Sequence, residues 1–512
     1  MMVTQQRVYL THISFITAVV RRSTMLTIMN YHLAIDQGTH ASRAILYNQS
    51  GNVLAREMQN IALSRRQNNH IEQQADEILQ SIIRVQHRLL ASLPAKIRKQ
   101  IRSCGIACQR STVLACNQQG EPLSAAISWQ DVRGEHYLDD LTISPQQIQK
   151  ISGLPCSAHY GASKLRWLLD NSPRVKKQSI DNLYLTPLIS YLLFHLAQTK
   201  PGKPQFVVDH SQAQRMQLWN MKTLDWSDRL LQAFKIPRNT LPQCRPMQYD
   251  YGYLGNTQIP IRAVGGDQNA ALLGAMNGKV DTTTALINLG SGAFVLQPLP
   301  SLQHSSRLLT SITCSSAGTI RYCREATVNG AGNALNWLAQ QDLFTQQPWR
   351  SHVSAWLDQS LHDETMETLF INTVGGLGSP WWSAKIPPHF INATQAGKRE
   401  LCVAVIESII FLLQENLDMM SKAHPIQRCI LSGGLAEIDA LCQKIANLSQ
   451  LPVQQLRDKE STARGIAWLS ASSPPWCDTK QKTFYPAKEP GLRRRYRQFH
   501  THLTALMTSH EQ

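Results

Sequence analysis

Short apolar segments separated by glycine-containing turns begin near residue 31 of the chain. HLAI runs into Asp36 and the turn QGTH, and then SRAILYN, the turn QSGN and VLAREM follow. Apolar runs of this length between turn residues predict consecutive β-strands. About 250 residues later the same order returns as TTALIN, LGSG and AFVLQPL. The repetition predicts two related domains that face each other.

The region between and after these two units has helical spacing. Apolar residues recur at intervals of three and four in KLRWLLDN and LISYLLFHLA, which indicates helices. A third glycine unit, RCILSGGLAEIDALCQKIANLSQLPVQQL, predicts a strand, a helix after Gly433 and Gly434, and a second strand. Such a βαβ unit needs a parallel sheet covered by helices. A basic helix over roughly 492–507 is predicted to pack at the end of the second domain.

Composition and charge limit the class of protein. A chain of 512 residues exceeds what one hydrophobic core supports, and 43% apolar with 17% charged residues is typical of globular proteins. The net charge is +16, but the basic residues are scattered and no nucleic-acid-binding signature occurs, so we expect a basic surface and no nucleic-acid partner. Eleven cysteines without CxxC pairs indicate reduced thiols and a cytoplasmic protein. No run of eighteen apolar residues occurs, so we expect no membrane span.

The first thirty residues differ from the rest. VYLTHISFITAVV is a short apolar run flanked by arginines, and no small-residue cleavage site follows it. We therefore interpret 1–30 as an N-terminal extension that is unstructured or arises from a mis-assigned start. In the second case Met25 or Met29 is the true first residue.

The segment AIDQGTHASRA carries the first candidate chemistry. Asp36 ends a predicted strand, and the glycine of the following turn lets backbone N–H groups approach an anion. A carboxylate beside a bound phosphate needs Mg²⁺ between them, because direct contact of like charges is repulsive. On this segment alone, a hairpin turn with a solvated Asp explains the pattern equally well. LGSG is ordinary turn chemistry by itself.

Taken together, the three glycine-rich turns resemble the phosphate and adenosine elements of the actin-like ATPase fold. The ordered set of motifs is more specific and resembles the FGGY family of carbohydrate kinases, and within it most closely the glycerol kinases. The match runs from about 31 to 486 and rests on DQGTHASRA, ISWQDVRG, ISGLPCSAHYGASKLRWLLDN, VVDHSQAQRMQLWN, FKIPRNTLP, VGGDQNAALLGAM, LGSGAF, GGLGSPWW and STARGIAWLS.

The resemblance implies an α/β protein of two-domain actin-like (ribonuclease H-like) fold with the active site in the interdomain cleft. Residues 31–278 would bind the acceptor and phosphates, and 279–512 would bind the nucleotide and include the basic C-terminal helix. The implied reaction transfers a phosphoryl group from ATP, with Mg²⁺, to a hydroxyl of a small polyol or sugar. A homo-oligomer remains open.

The resemblance also assigns roles to residues. Asp267 would be the catalytic base, because phosphoryl transfer needs a carboxylate within reach of the attacking hydroxyl. Asp36 would handle the metal. The acceptor would be held by Arg110, Ser111, Trp129, His159, Asp267, Gln268 and Phe294. ATP would be held by Asp36, Gly38, Thr39, Arg43, Ser291, Gly292, Gly433 and Gly434. Apart from the resemblance, Lys164 and Trp167 lie three residues apart on one predicted helix, and we expect them to pack across the cleft.

Five positions depart from the glycerol kinase pattern. Ser111 stands where those enzymes have Glu, so a carboxylate that would accept hydrogen bonds from substrate hydroxyls is missing. Such a loss costs about 1.5 to 3 kcal/mol per bond, and we therefore expect weak glycerol binding or a longer acceptor. His159 replaces the usual Tyr. His40 and the pair Ile438 and Asp439 depart on the nucleotide side.

These departures leave two other functions open. One is an actin-like ATPase whose nucleotide state controls partner binding, and the other is a catalytically weak paralogue that senses a metabolite. The motifs GGDQNAAL and ISWQD argue against the first, because they are sugar-kinase features. The presence of both Asp36 and Asp267 argues against the second.

Overall fold

The computed structural model describes residues 29–66, 70–198, 205–279, 281–345, 349–383, 386–457, 460–478 and 481–511. The interpretation of the N-terminal extension concerns residues that lie almost entirely outside these ranges.

The first half of the chain forms an α/β unit around a mixed sheet. Its strands are β1 Tyr31–Gln37, β2 Ala41–Asn48, β3 Val53–Asn60, β4 Ser64–Arg65, β5 Ile71–Gln73, β6 Ile101–Cys108, β7 Val113–Asn117, β8 Ala126–Ile127, β9 Leu183–Pro187, β10 Ala197–Gln198, β11 Val207–Asp209, β12 Trp219–Asn220, β13 Asp225–Trp226, β14 Gln243–Arg245, β15 Tyr253–Leu254 and β16 Ile261–Gly266. Its helices are α1 Ala75–Ser92, α2 Ala95–Arg98, α3 Pro145–Ser152, α4 Gly161–Asn171, α5 Pro173–Lys176, α6 Leu188–Leu196, α7 His210–Gln214, α8 Asp228–Phe234 and α9 Asp267–Ala275.

The central sheet of this unit has the strand order β16-β6-β1-β2-β3. The hairpin β1–β2 and its extension β3 are antiparallel, whereas β6 and β16 run parallel to β1. Every residue of β1 is buried, as expected for a strand covered on both faces. The carboxyl ends of the three parallel strands therefore meet at one edge, where ligands bind in open α/β sheets.

The second half repeats this arrangement. Its strands are β17 Thr284–Leu289, β18 Ala293–Leu299, β19 Leu309–Ser316, β20 Thr319–Val328, β21 Leu369–Ile371, β22 His389–Ile391, β23 Arg428–Ser432, β24 Val453–Leu456 and β25 Gln481–Phe484. Its helices are α10 Gly332–Leu338, α11 Asp342–Thr345, α12 Val353–Ser360, α13 Lys398–Ser421, α14 Asp439–Ser449, α15 Ser461–Ser470 and α16 Pro490–Glu511. Short 3₁₀ helices cover Glu135–Leu138, Ile180–Asn182, Arg238–Thr240, Arg350–His352 and Gly434–Glu437.

The second sheet has the order β19-β20-β18-β17-β23-β24-β25. Here too a hairpin, β17–β18, lies beside a parallel neighbour, β23. The predicted repeat of strand, glycine turn and strand is thus present as two equivalent hairpins. The predicted βαβ unit is also present, because β23, α14 and the parallel strand β24 follow one another. The predicted basic C-terminal helix is α16, which is longer at both ends than the predicted range 492–507.

One helix of the second half packs on the first unit. The α15 residues Ala463, Ile466 and Ala467 belong to the hydrophobic core of the first sheet. Two glycines allow this close contact: a Cβ at Gly465 would collide with the Ala270 carbonyl, and one at Gly274 with the Ser461 carbonyl. The division at 278/279 stays a prediction, and α15 ties the far end of the chain to the helix that begins with Asp267. No helix within the described ranges is long and apolar enough to cross a membrane.

Candidate active site

Nine of the fifteen predicted site residues line one cleft between the two units. Strand ends of the first unit supply Arg110 after β6 and Asp267 after β16, and the turn after β17 supplies the loop from Gly290. The cleft is lined by Thr39, Arg110, Trp129, His159, Asp267, Gln268, Asn288, Gly290, Ser291, Gly292 and Phe294. Six of the seven predicted acceptor residues are in this set, and the exception is Ser111.

Asp267 is the first residue of α9, and its side chain is 25% exposed to the cleft. Its Oδ1 accepts a hydrogen bond from the Gln268 backbone N–H at 2.8 Å and lies 3.6 Å from Nε of Arg110. Burial raises the pKa of Asp267, and the Arg110 charge opposes that shift. The carboxylate is therefore fixed at a helix start, beside a cation, and faces the cleft.

Arg110 is held by a carboxylate from the opposite unit. Its Nη1 and Nη2 donate to the two carboxylate oxygens of Glu325 at 3.1 and 2.8 Å, and Nη1 also donates to Oδ1 of Asn269 at 3.2 Å. Glu325, in β20, also accepts hydrogen bonds from Arg215 and from the Ser311 hydroxyl. Burial alone would raise the pKa of Glu325, but Arg110 and Arg215 prevail and lower it to about 2. Glu325 is consequently ionised, and it orients Arg110 toward the cleft.

Sequence reasoning missed Glu325 and Arg215. The available signal for Glu325 was one acidic residue in the buried half of a strand, TIRYCREATV. Ser111, which was predicted to contact the acceptor, is 1% exposed and does not line the cleft. Its hydroxyl has no hydrogen-bond partner among the described residues. The carboxylate that contacts Arg110 is therefore that of Glu325 in β20, and not one at position 111.

The aromatic residues form a wall beside these charges. Nε1 of Trp129 donates to the Thr39 hydroxyl at 2.9 Å, and the His159 ring meets the Trp129 ring edge-on with centroids 5.6 Å apart. Burial, followed by the charges of Lys164 and two arginines, holds the pKa of His159 well below its usual range, so the ring is neutral. Phe294 lies under Arg110, with 5.8 Å from the guanidinium carbon to the ring centroid.

Asp36 lies near the end of β1, directly before Gln37 and the first glycine loop, at the same edge of the sheet. Asp36 pairs with Arg43 across the hairpin, with Nη1 at 3.2 Å from Oδ2. The pKa of Asp36 is raised to about 7. Burial is the main cause, the Arg43 charge opposes it, and the charge of Asp267 adds to it. A buried carboxylate whose pKa is raised by a second carboxylate nearby favours a bound cation. No group of three or more His, Cys, Asp or Glu that could hold a metal occurs in the described part of the chain.

The remaining glycines lie on the second unit. Gly433 has a φ of 94°, and a Cβ there would collide with the Leu289 carbonyl at the end of β17. It borders a second pocket, lined by Gly433, Ala436, Glu437, Asp439, Gln455, Leu456 and Arg457. The contact of Gly433 with β17 places this pocket next to the cleft, which Asn288 lines.

Lys164 and Trp167 do not pack across the cleft as predicted. Lys164 is fully buried, and its hydrogen bonds within the described ranges go to carbonyls of the first unit. Trp167 packs against Arg133 and His70, also in the first unit. Both were expected at the cleft because they share a helix face, but that face points into the first unit.

Comparison with known proteins decides the family. The description "FGGY family of carbohydrate kinases, N-terminal domain" matches 31–274, and the corresponding C-terminal domain matches 285–473. The glycerol kinase of Natranaerobius thermophilus is 31% identical over 457 residues, which is 86% of this chain and 89% of that protein. The chain belongs to the FGGY family of carbohydrate kinases. It is a kinase that phosphorylates a hydroxyl group, as the resemblance implied.

Solved structures give the same fold. Plasmodium falciparum glycerol kinase with ADP superposes with a TM-score of 0.81 at 22% identity, covering 94% of this chain and 98% of that one. Gluconate kinase from Lactobacillus acidophilus gives 0.80 at 19% identity, with the same coverage. The predicted two-domain α/β fold is confirmed.

Proposed function

We propose that this FGGY kinase transfers the γ-phosphoryl group of ATP to a hydroxyl of a small polyol or sugar bound in the cleft. The observation that carries the proposal is that the Asp267 carboxylate faces the same cleft as the glycine loop of Ser291 and Gly292. A carboxylate and a phosphate-binding turn in one cleft can serve acceptor and nucleotide at once.

The proposed roles follow from these contacts. Asp267 accepts the proton of the attacking hydroxyl, and its pKa is raised by burial toward the range in which a general base is effective. Arg110 and Gln268 hold acceptor hydroxyls, while Trp129, His159 and Phe294 cover the carbon skeleton. The Ser111 hydroxyl is buried outside the cleft lining, so it does not replace the carboxylate that glycerol kinases have at this position. Closure of the two units would exclude water, which otherwise competes as the phosphoryl acceptor.

The nucleotide is proposed to lie along the glycine loops. Gly38, Thr39 and Arg43 would face the phosphates from the first unit, and Ser291 with Gly292 from the second. The pocket beside Gly433 and Gly434 would hold the adenosine. Mg²⁺ fits this site, because it prefers oxygen ligands and binds through one or two carboxylates plus substrate phosphates. Asp36 would hold it, and the ion would neutralise charge on the transferred group.

Two other functions are less well supported. A partner-controlled ATPase needs no acceptor pocket, whereas six predicted acceptor residues line this cleft. A sensor without turnover needs no proton acceptor, whereas Asp267 and Asp36 are both in place. A cytoplasmic location and the state of assembly stay predictions.

The experiment is a measurement of ATP consumption with and without glycerol, four- and five-carbon polyols and ketoses. We expect turnover that requires an acceptor. Consumption that is independent of any acceptor would instead indicate an ATPase, and nucleotide binding without turnover would indicate a sensor.

The same panel tests Ser111. A site that pairs buried polar groups can discriminate by up to about 10⁴ when one partner is missing, so we expect a raised KM for glycerol and better use of a longer acceptor. Ser111→Glu should shift kcat/KM toward glycerol, with Ser111→Gln as a control of similar size and no charge. Efficient phosphorylation of glycerol by the wild type, with every longer acceptor worse, would overturn this preference.

A further inference from the structure

Lys164 lies on α4, behind the aromatic wall of the cleft, with none of its surface exposed. Its Nζ donates hydrogen bonds to the carbonyls of Ser111 at 3.2 Å, Ser128 at 3.0 Å and His159 at 2.7 Å. An ammonium group has three N–H donors, and all three are used. Lys164 itself does not line the cleft.

Each of the three carbonyls belongs to a different segment that carries an acceptor-site side chain. Ser111 directly follows Arg110, Ser128 directly precedes Trp129, and His159 is itself part of the wall. A further bond joins two of these segments, because the Trp129 backbone N–H donates to the Thr112 hydroxyl at 3.2 Å. One ammonium group therefore connects all three sides of the acceptor pocket.

The backbone at Ser111 shows why such a connection is needed. Ser111 has a φ of 62°, a left-handed conformation that is unfavourable for a residue with a side chain. Backbone strain of this kind persists only where surrounding contacts determine it, and it concentrates at functional sites. The bond from Lys164 to the Ser111 carbonyl is one such contact, and the turn it supports directs Arg110 into the cleft.

A buried ammonium is also costly to keep. Burial lowers the pKa of Lys164 to about 7, and the charges of Asp131 and Arg133 act in opposite directions. An apolar residue of similar length would fill the same space but would leave three buried carbonyls without that donor. The cost of the charge is offset by ordering these three segments.

We propose that Lys164 is a positioning residue that sets the acceptor affinity of the site by fixing Arg110, Trp129 and His159 relative to one another. The proposal rests on the proposed kinase function and adds a determinant of acceptor binding that touches neither substrate. Misplacement of positioned groups by about 1 Å can cost on the order of 100-fold in rate, so we expect a large loss of kcat/KM for the acceptor, most of it through a raised KM.

The test is Lys164→Met, whose unbranched side chain is one atom shorter and has no hydrogen-bond donor. We expect the KM for the best acceptor of the panel to rise at least tenfold, while the KM for MgATP and any acceptor-independent ATP hydrolysis stay within twofold of wild type. Lys164→Gln keeps up to two N–H donors and should give an intermediate acceptor KM. If Lys164→Met does not fold, the Gln variant alone decides by the same split between the two KM values.

Lys444→Met is the matched control. Lys444 is also fully buried, but it lies on α14 within the core of the second unit and bonds to Glu407 and Glu489. Its loss should lower Tm and leave the acceptor KM unchanged in assays well below that temperature.

Two results would overturn the proposal: an unchanged acceptor KM in the Lys164 variants, or an equal rise of both KM values. Absence of acceptor-dependent turnover in the wild type would instead overturn the proposed function. The two failures are therefore distinguishable.

Discussion

Two buried ionic clusters serve different ends in this protein. The cleft cluster, Arg110, Arg215 and Glu325, joins strand β20 of the second unit to two segments of the first. The helix cluster, Glu407, Lys444, Glu489 and Arg495, joins α13, α14 and α16 within one hydrophobic core. Both are almost fully excluded from solvent. Removing one partner of such a cluster leaves an uncompensated buried charge, which typically costs about 3–5 kcal/mol.

The clusters differ in charge balance. The helix cluster contains two cations and two anions and is closed. The cleft cluster contains two cations and one anion, and Arg110 turns its remaining positive charge toward Asp267 at 3.6 Å. A buried ionic cluster attaches a helix when all of its members are fully paired. It presents an oriented charge to a substrate when one member is incompletely paired.

The largest effect is expected from Asp267→Asn. The amide has nearly the same shape but cannot accept a proton, and it leaves the cleft cluster with an excess positive charge. We expect loss of nearly all acceptor-dependent turnover, with MgATP binding changed by no more than a few-fold. Retention of more than about a tenth of the wild-type kcat would refute the general-base assignment.

A pair of variants separates the clusters more sharply. Glu325→Gln and Glu407→Gln each neutralise the carboxylate that holds two cations, so both should lower Tm. Only Glu325→Gln should also reduce kcat/KM for the acceptor, by about 10- to 100-fold, because it releases Arg110 from a charge-assisted bidentate contact. The kinetics are measured well below both Tm values. An equal kinetic loss in Glu407→Gln would mean that general destabilisation explains the effect.

Part of this arrangement was predictable from sequence. The glycine turns predicted both hairpins, and the family resemblance, through the motif around Asp267, predicted that this residue belongs to the acceptor site. Glu325 was not predictable in this way, since its partner Arg110 lies 215 residues away and only the folded sheets bring them together. The prediction for Lys164 was wrong for a related reason. Helical spacing shows which residues share a face, but not which segments of the folded chain that face contacts.

The smallest expected effect concerns the pH dependence of stability, in which the two clusters should be alike. In the folded protein the pKa of Glu325 is lowered from 4.5 to about 2, so the unfolded chain takes up a proton first as the pH falls. The stabilisation is complete above about pH 4.5 and is lost progressively toward pH 2. Burial tends to raise the pKa of Glu407, but Lys444 and Arg495 prevail and lower it, so the direction is the same. Asp36 has the opposite effect on stability: because its pKa is raised to about 7, its ionisation destabilises the folded protein as the pH rises.

The difference in Tm between wild type and each Glu variant isolates the contribution of that Glu from the titration of other groups such as Asp36. Thermal unfolding from pH 7 to about pH 3.5 should show a Tm difference between wild type and Glu325→Gln that is constant down to about pH 5 and then shrinks. Glu407→Gln should behave in the same way. A Tm difference that persists unchanged at the lowest pH would mean that the Glu325 carboxylate gains no stabilisation from its arginines. Agreement of the two thermal profiles beside divergent kinetics would establish that the clusters share their energetics and differ only in what Arg110 faces.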